Sequence, residues 1–348
     1  MEITRYLSSC AKNILVVNYG NVGDIVCNLF LIQSLTKHFE DKKVSLIVSK
    51  KNFPVVMYDT SFWKCFVWEE PNGFSFNDEK SLKEEMVDTI IFLRGTTKGV
   101  YLKIHTYLKQ VFPKAKFVGM IKDSSEGNFD YFWCHNDYGS IHERLYNFGK
   151  FLLGEKDFVK PKIFVPQDVI ENVKNKLLEV FDNKFPLIYI NLSAGEKNDF
   201  VNYLKRNITI KQYVKIISEL IKKYKINILL TAAKQDYHKG DIICTKLNYP
   251  KNIYFFKGLN IFQLFAVIKF SDMVISPETS VIHISSVLNK PIIGLYSSKK
   301  RLTEWPPLSD KYVVILPRIT RWMFTLSICD LLKIVEKKIM EWKILEKV

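Results

Sequence analysis

The chain has 348 residues, 47% hydrophobic and 14% aromatic, which allows two globular domains of ordinary size and excludes a disordered chain. Its formal charge of +15, from 51 Lys and Arg against 36 Asp and Glu, points to anionic partners: nucleic acid, phosphorylated substrates or an acidic membrane face. The lysines are dispersed with no dense tract or RNA-binding signature, no apolar run approaches the ~20 residues of a membrane span, and the six cysteines lack the CxxC spacing of a zinc site.

The first apolar run, NILVVN at 13–18, precedes a helical stretch near 24–38. VSLIVS (44–49), DTIIFL (88–93), an amphipathic stretch over 98–111 and KFVGMI (116–121) follow. Continuous β-branched runs alternating with helices predict a parallel sheet covered on both faces. The aromatic stretch with Phe129, Tyr131, Phe132, Trp133 and Tyr138 reads either as core or as a face for an acceptor sugar or lipid. A helix over 141–154 then leads to the proline-bracketed KPKIFVPQ, an expected crossing between domains at 160–168.

The alternation restarts with a helix at 167–181 and PLIYINLS (186–193). A helix at 209–224, INILLTA (226–232), a helix after Asp236 and NIYFFKG (252–258) come next. The helix 260–271, DMVISP (272–277), a helix over 280–288 and KPIIGLYS (290–297) complete the second unit. The predicted fold is α/β: two Rossmann-like doubly wound domains, 1–165 and 166–348, facing each other across a cleft, with the last helix packing back on the first domain.

Between the first run and its helix the chain reads NYGNVGD. Gly20 and Gly23 permit a sharp turn and close approach of a ligand, and a helix N-terminus favours phosphate. Asp24 does not fit that picture, because its charge repels phosphate; on its own it reads as a helix cap.

Three segments together resemble glycosyltransferase family 9, the heptosyltransferases. They are NILVVNYGNVGDIVCNLFLIQSLTKHF, YINLSAGEK followed by LKRNITIKQYVKIISEL, and FKGLNIFQLFAVIKFSDMVISPETSVIHISSVLNKPIIGLYSS. The resemblance implies a GT-B architecture and inverting transfer of heptose from ADP-heptose to the inner core of lipopolysaccharide or lipooligosaccharide. It implies no cofactor and no metal. The acceptor would be lipid A–Kdo or an inner core, which places the chain in the cytoplasm, peripheral on an anionic inner membrane face and without nucleic acid as partner; the N-terminal stretch, lacking a signal-peptide apolar block, gives the same expectation.

On the family pattern, Asp24 becomes the base that takes the acceptor proton, with Gly20, Asn21 and Gly23 forming the acceptor-side loop. Arg206, beside Lys205, corresponds to the basic residue at the donor phosphates; Arg206 is the choice because Tyr213 then falls at the family's aromatic helix position. Ser193 and Gly195 are expected near the pyrophosphate, and Thr279, Ser280 and Val281 offer amides at a helix N-terminus. Glu278 either meets donor hydroxyls or positions its loop, His283 is a site residue or a packed one, and Asp236 aligns with a ribose contact. Glu278 and Ser280 depart from the family's Asp and Gly, which leaves open a different nucleotide sugar. The rivals are a dinucleotide-dependent oxidoreductase, for which the turn lacks a third glycine, and a nucleotide-binding adaptor without catalysis.

Overall fold

The structure is a computed structural model, and it describes residues 2–94, 99–122, 128–136, 139–181, 184–194 and 205–347. The chain divides into two compact units, Met1–Phe164 and Val165–Val348.

The first unit opens with helix α1 (Glu2–Ser9), followed by β1 (Asn13–Asn18), α2 (Val22–His38), β2 (Lys43–Ser49) and α3 (Phe53–Val56). It continues with β3 (Cys65–Glu69), β4 (Gly73–Phe74), α4 (Phe76–Lys83), β5 (Thr89–Phe92), α5 (Gly99–Val111), β6 (Lys116–Ile121), β7 (Tyr131–Cys134) and α6 (Ile141–Leu153). The strands form one sheet in the order β4-β3-β2-β1-β5-β6-β7, parallel except for the β3–β4 pair. Because β1, β2 and β5 are covered on both faces, Ile14, Leu15, Val16, Val17, Leu46, Ile47, Ile90 and Ile91 are all buried, and the strands read as unbroken apolar runs. The aromatic stretch is the edge strand β7 and its approach: Phe129 packs into the core against Phe92 and His105, and Tyr131 stacks on Tyr6. Tyr138 lies outside the described residues.

The second unit comprises α7 (Gln167–Val180), β8 (Leu187–Asn191), α8 (Ile210–Lys223), β9 (Asn227–Thr231), α9 (Tyr237–Lys246), β10 (Ile253–Phe256) and α10 (Ile261–Phe270). After these come β11 (Met273–Pro277), α11 (Ser280–Val287), β12 (Ile292–Leu295), α12 (Lys299–Glu304), β13 (Tyr312–Ile315) and α13 (Ile328–Glu341). Its sheet is wholly parallel, in the order β10-β9-β8-β11-β12-β13. The final helix, expected on the first domain, buries Leu331, Val335 and Ile339 in the core of the second beside Ile216, Ile217 and Leu220 of α8.

Leaving aside the short β4, both sheets follow one doubly wound order, and in each the chain direction reverses between two central strands. That reversal falls between β1 and β5 in the first unit and between β8 and β11 in the second. In open sheets of this type the crevice beyond the carboxyl ends of those two strands is the binding place.

Candidate active site

At the first reversal point, β1 ends in Asn18, whose side chain accepts a 2.9 Å hydrogen bond from Asn28 of α2. The turn that follows is held on three sides. Tyr101 of α5 donates to the carbonyl of Tyr19, Ser49 at the end of β2 donates to the carbonyl of Gly20 at 2.9 Å, and the Asn21 N–H donates to Asp24 Oδ2 at 2.8 Å. Burial raises the Tyr101 hydroxyl above its ordinary pKa, which keeps it a donor. Asp24 therefore does cap α2, as the N3 member of a capping box with Asn21.

Its second oxygen has another partner. Arg94, directly past the end of β5, donates to Asp24 Oδ1; the carboxylate side chain is 12% exposed and the guanidinium 37%. The cap fixes one oxygen and the arginine the other, so the carboxylate is oriented at the carboxyl edge of the sheet while keeping lone pairs for a further donor. Arg94 was not anticipated; its position one residue beyond the strand run 88–93 is the signal that could have found it. Below the carboxylate, burial and then the nearby Asp24 charge push the Cys27 thiol well above its ordinary pKa, so it stays protonated and unreactive.

The space beside Gly20 is used by the protein itself. A Cβ there would lie 2.7 Å from Asp24 Oδ2, so the glycine makes room for the carboxylate. Gly20→Ala should displace Asp24 and lower the proposed transfer at least about tenfold, with a stability loss of only ~1 kcal/mol from the disturbed cap, read by steady-state kinetics and thermal unfolding side by side.

At the second reversal point a cavity of about 290 Å³ opens beyond β8 and β11, lined among others by Asn191, Ser193, Thr231, Asn260, Thr279 and Ser280. The Asn191 amide organises it, donating to the Ser193 carbonyl at 2.9 Å, Ser276 Oγ at 3.1 Å and Thr279 Oγ1 at 3.3 Å. Ser193 is buried, and its hydroxyl accepts from the Ala233 N–H at 2.9 Å, tying the ends of β8 and β9 together. Thr279 is the N-cap of α11 and its hydroxyl accepts from the Val281 N–H at 3.3 Å. Thr279, Ser280 and Val281 thus line the cavity at a helix N-terminus, where unpaired donors and the helix dipole favour an anion. Gly195 lies outside the described residues.

Arg206 stands next to this cavity. Its Nη2 donates to the carbonyl of Glu278 at 2.7 Å and to Glu278 Oε2 at 3.3 Å. Burial lowers its pKa and the Glu278 charge works against that fall. Lys205 turns the other way, its ammonium 5.6 Å from the Trp322 ring centre. Tyr213, buried in α8, donates to the Asn191 carbonyl at 3.1 Å, so the helix following Arg206 is braced on the strand that ends at the cavity.

Three further residues are placed by their contacts. Both carboxylate oxygens of Glu278 are held by Arg301, through Nε at 3.0 Å and Nη2 at 2.6 Å, which favours the loop-positioning role over contact with donor hydroxyls. His283 is buried one turn into α11 with its ring edge-on to Trp305, a packed residue. Asp236, expected at a ribose, is 2% exposed and paired at 3.0 Å with Lys239. That pair faces inward because Lys239 also donates to the Leu192 carbonyl at 3.1 Å and to Asn207 Oδ1 at 2.9 Å, which fixes it between β8 and the segment carrying Arg206.

Residues 202–330 match the family model described as Glycosyltransferase family 9 (heptosyltransferase). A Haemophilus influenzae protein named "Putative glycosyltransferase" is 26% identical over 136 residues, a stretch covering 37% of this chain and 39% of that relative's length. In fold, the chain is similar to the glycosyl transferase family 9 protein of Veillonella parvula, with a TM-score of 0.78 and 12% identity over 95% of this chain and 97% of that one. It is also similar to E. coli ADP-heptose lps heptosyltransferase II, with a TM-score of 0.72 and 14% identity over 95% and 99% of the two chains. The family match falls on the segment that carries Arg206, Glu278 and the α11 side of the cavity, and the chain spans about two fifths of the curated relative's length, whereas the fold likeness to these glycosyltransferases extends over both units.

Proposed function

We propose that this protein is an inverting, metal-independent glycosyltransferase that moves heptose from ADP-heptose to the inner core of lipopolysaccharide or lipooligosaccharide. The observation that carries the reading is the cavity beyond β8 and β11, with the N-terminus of α11 on its wall and Arg206 beside it. A nucleoside diphosphate needs donors and positive charge there, and the departing diphosphate gains negative charge as the glycosidic bond breaks. The similar E. coli protein is named for ADP-heptose, which supports this donor.

In the proposed step, the acceptor hydroxyl attacks the anomeric carbon as Asp24 takes its proton, and the bond from that carbon to the diphosphate oxygen breaks on the opposite face. One oxygen of Asp24 is held by Asn21 and the other by Arg94, so its orientation costs nothing at the moment of reaction. Arg206 and the first-turn amides of α11 stabilise the leaving ADP, a task that a metal performs elsewhere. Val281 N–H already meets Thr279 Oγ1 at 3.3 Å, a long bond that a phosphate oxygen can replace.

A lipid-borne acceptor puts the enzyme at the cytoplasmic face of the bacterial inner membrane, where its excess of 51 basic over 36 acidic residues is attracted to anionic headgroups. Among the described residues, no helix is long and apolar enough to cross a membrane. Peripheral, salt-sensitive attachment is therefore part of the proposal.

Calorimetric titration with ADP, UDP and GDP tests the donor: ADP should bind at least about tenfold more tightly than the other two, equivalent to roughly 1.4 kcal/mol. Preference for UDP or GDP would favour the second reading, a family member with another nucleotide sugar, which Glu278 and Ser280 in place of Asp and Gly motivate. Transfer should persist unchanged after exhaustive dialysis against EDTA, and a loss that added Mg²⁺ restores would refute the metal-independent mechanism.

A further inference from the structure

Arg301 has no part in the step just described, yet it is built into the same corner of the second unit. It lies in α12, the short helix after β12 whose N-cap Ser298 accepts from the Arg301 N–H at 3.3 Å. Its guanidinium forms a two-bond fork on Glu278, Nε to Oε2 at 3.0 Å and Nη2 to Oε1 at 2.6 Å. Arg206 sits mainly on the Glu278 main-chain carbonyl at 2.7 Å, with a longer reach of 3.3 Å to Oε2. The Glu278 side chain is 9% exposed, Arg206 22% and Arg301 39%. Burial lowers the Arg301 pKa, and the hydrogen bonds and charge of Glu278 more than offset this, leaving the guanidinium above its ordinary value.

The charges of this cluster decide what it can do. Glu278 directly precedes Thr279, the cap of a helix whose N-terminus lines the cavity, so its negative charge lies one residue from the cavity wall and disfavours an incoming diphosphate. Arg301 also reaches Glu304, Nη1 to Oε2 at 3.6 Å, so the two arginines and two glutamates sum to zero, and without Arg301 the corner would be negative by one unit. The fork matters as well as the charge, since two parallel bonds take both carboxylate oxygens and leave Arg206 a 3.3 Å reach to Oε2 beside its 2.7 Å bond to the main-chain carbonyl. An aspartate at this position is shorter by one methylene and could not reach the Arg301 fork without moving the backbone. Glutamate at 278 and arginine at 301 therefore work as one device.

We infer that Arg301 is a positioning residue for donor binding: by taking both oxygens of Glu278 it neutralises the carboxylate next to the cavity wall and leaves the charge of Arg206 available to the diphosphate. The inference rests on the reading of this cavity as the donor site and names a determinant of its affinity that acts through Glu278 and not by touching the ligand. The ligand class is a nucleoside diphosphate, whichever base it carries.

The test is a double-substitution cycle read by calorimetric titration of the full-length protein with ADP, UDP and GDP. Arg301→Ala should weaken binding of the preferred diphosphate by roughly tenfold to a hundredfold, because it leaves a buried carboxylate without its fork one residue from the cavity wall. Glu278→Gln removes that carboxylate, so Arg301→Ala combined with Glu278→Gln should recover binding to within about threefold of wild type. Arg301→Lys, which keeps the charge and loses the fork, should fall between wild type and Arg301→Ala. Equal losses from Arg301→Ala with and without Glu278→Gln, or no loss at all, would overturn the inference while leaving the donor site standing. Failure of wild type to bind any of the three diphosphates would remove the donor reading and this inference together.

Discussion

Asp24→Asn is expected to lower the rate of transfer by roughly 10²–10⁴-fold while nucleotide affinity stays within about twofold of wild type, the range attached to losing a general base. The substitution is close to isosteric. An asparagine oxygen can still accept from the Asn21 N–H, so the cap on α2 persists in large part and the stability loss should stay near ~1 kcal/mol. What disappears is the proton acceptor and the charge that pairs with Arg94. Arg94 is 37% exposed and can turn to water, which is why we expect no collapse of the turn. Single-turnover kinetics together with a nucleotide titration separate the two effects. An unchanged rate would leave Asp24 with its capping role alone.

The second large effect concerns stability. Lys239→Met should destabilise the second unit by about 3–5 kcal/mol, since it leaves the buried Asp236 carboxylate without the cation 3.0 Å away. The Asn207 and Leu192 oxygens lose their donor in the same change. The unfolding midpoint of that unit should fall by roughly 10 °C, measured by differential scanning calorimetry. Lys239→Met combined with Asp236→Asn should regain much of the loss, because the uncompensated charge is gone. A single variant that melts within about 2 °C of wild type would mean that water or a rearranged side chain satisfies Asp236 at little cost.

Both sheets were legible in the sequence because parallel strands buried on two faces must be written as unbroken apolar runs, and β1, β2, β5, β8, β9, β11 and β12 are written that way. The segment between β2 and β5 was not legible: β3 is a five-residue strand of alternating burial and β4 a two-residue antiparallel partner, too short to set a period. β7 was read as an aromatic surface or core, since an edge strand bearing Tyr, Phe and Trp carries no run of aliphatic residues.

The site divides in the same way. Asp24, Arg206 and residues 279–281 were singled out because the family pattern marks their positions along the chain. Arg301 was missed because its partner lies 23 residues away and one arginine among 51 basic residues has no local mark, while Arg94, 70 residues from its partner, had only its place just past the strand run 88–93 to mark it. Lys239 was missed for a different reason. A lysine three residues after an aspartate on a helix reads as a solvated pair, and only the closure of β8 and the Arg206 segment over it turns that pair inward.

The most direct test of the central claim is to incubate the purified protein with ADP-heptose and a heptose-free lipooligosaccharide acceptor and to follow the acceptor by mass spectrometry. The acceptor should gain one heptose as an equivalent of ADP is released, in EDTA as in buffer. An acceptor that gains no heptose, with ADP-heptose left intact or cleaved only by water, would contradict it.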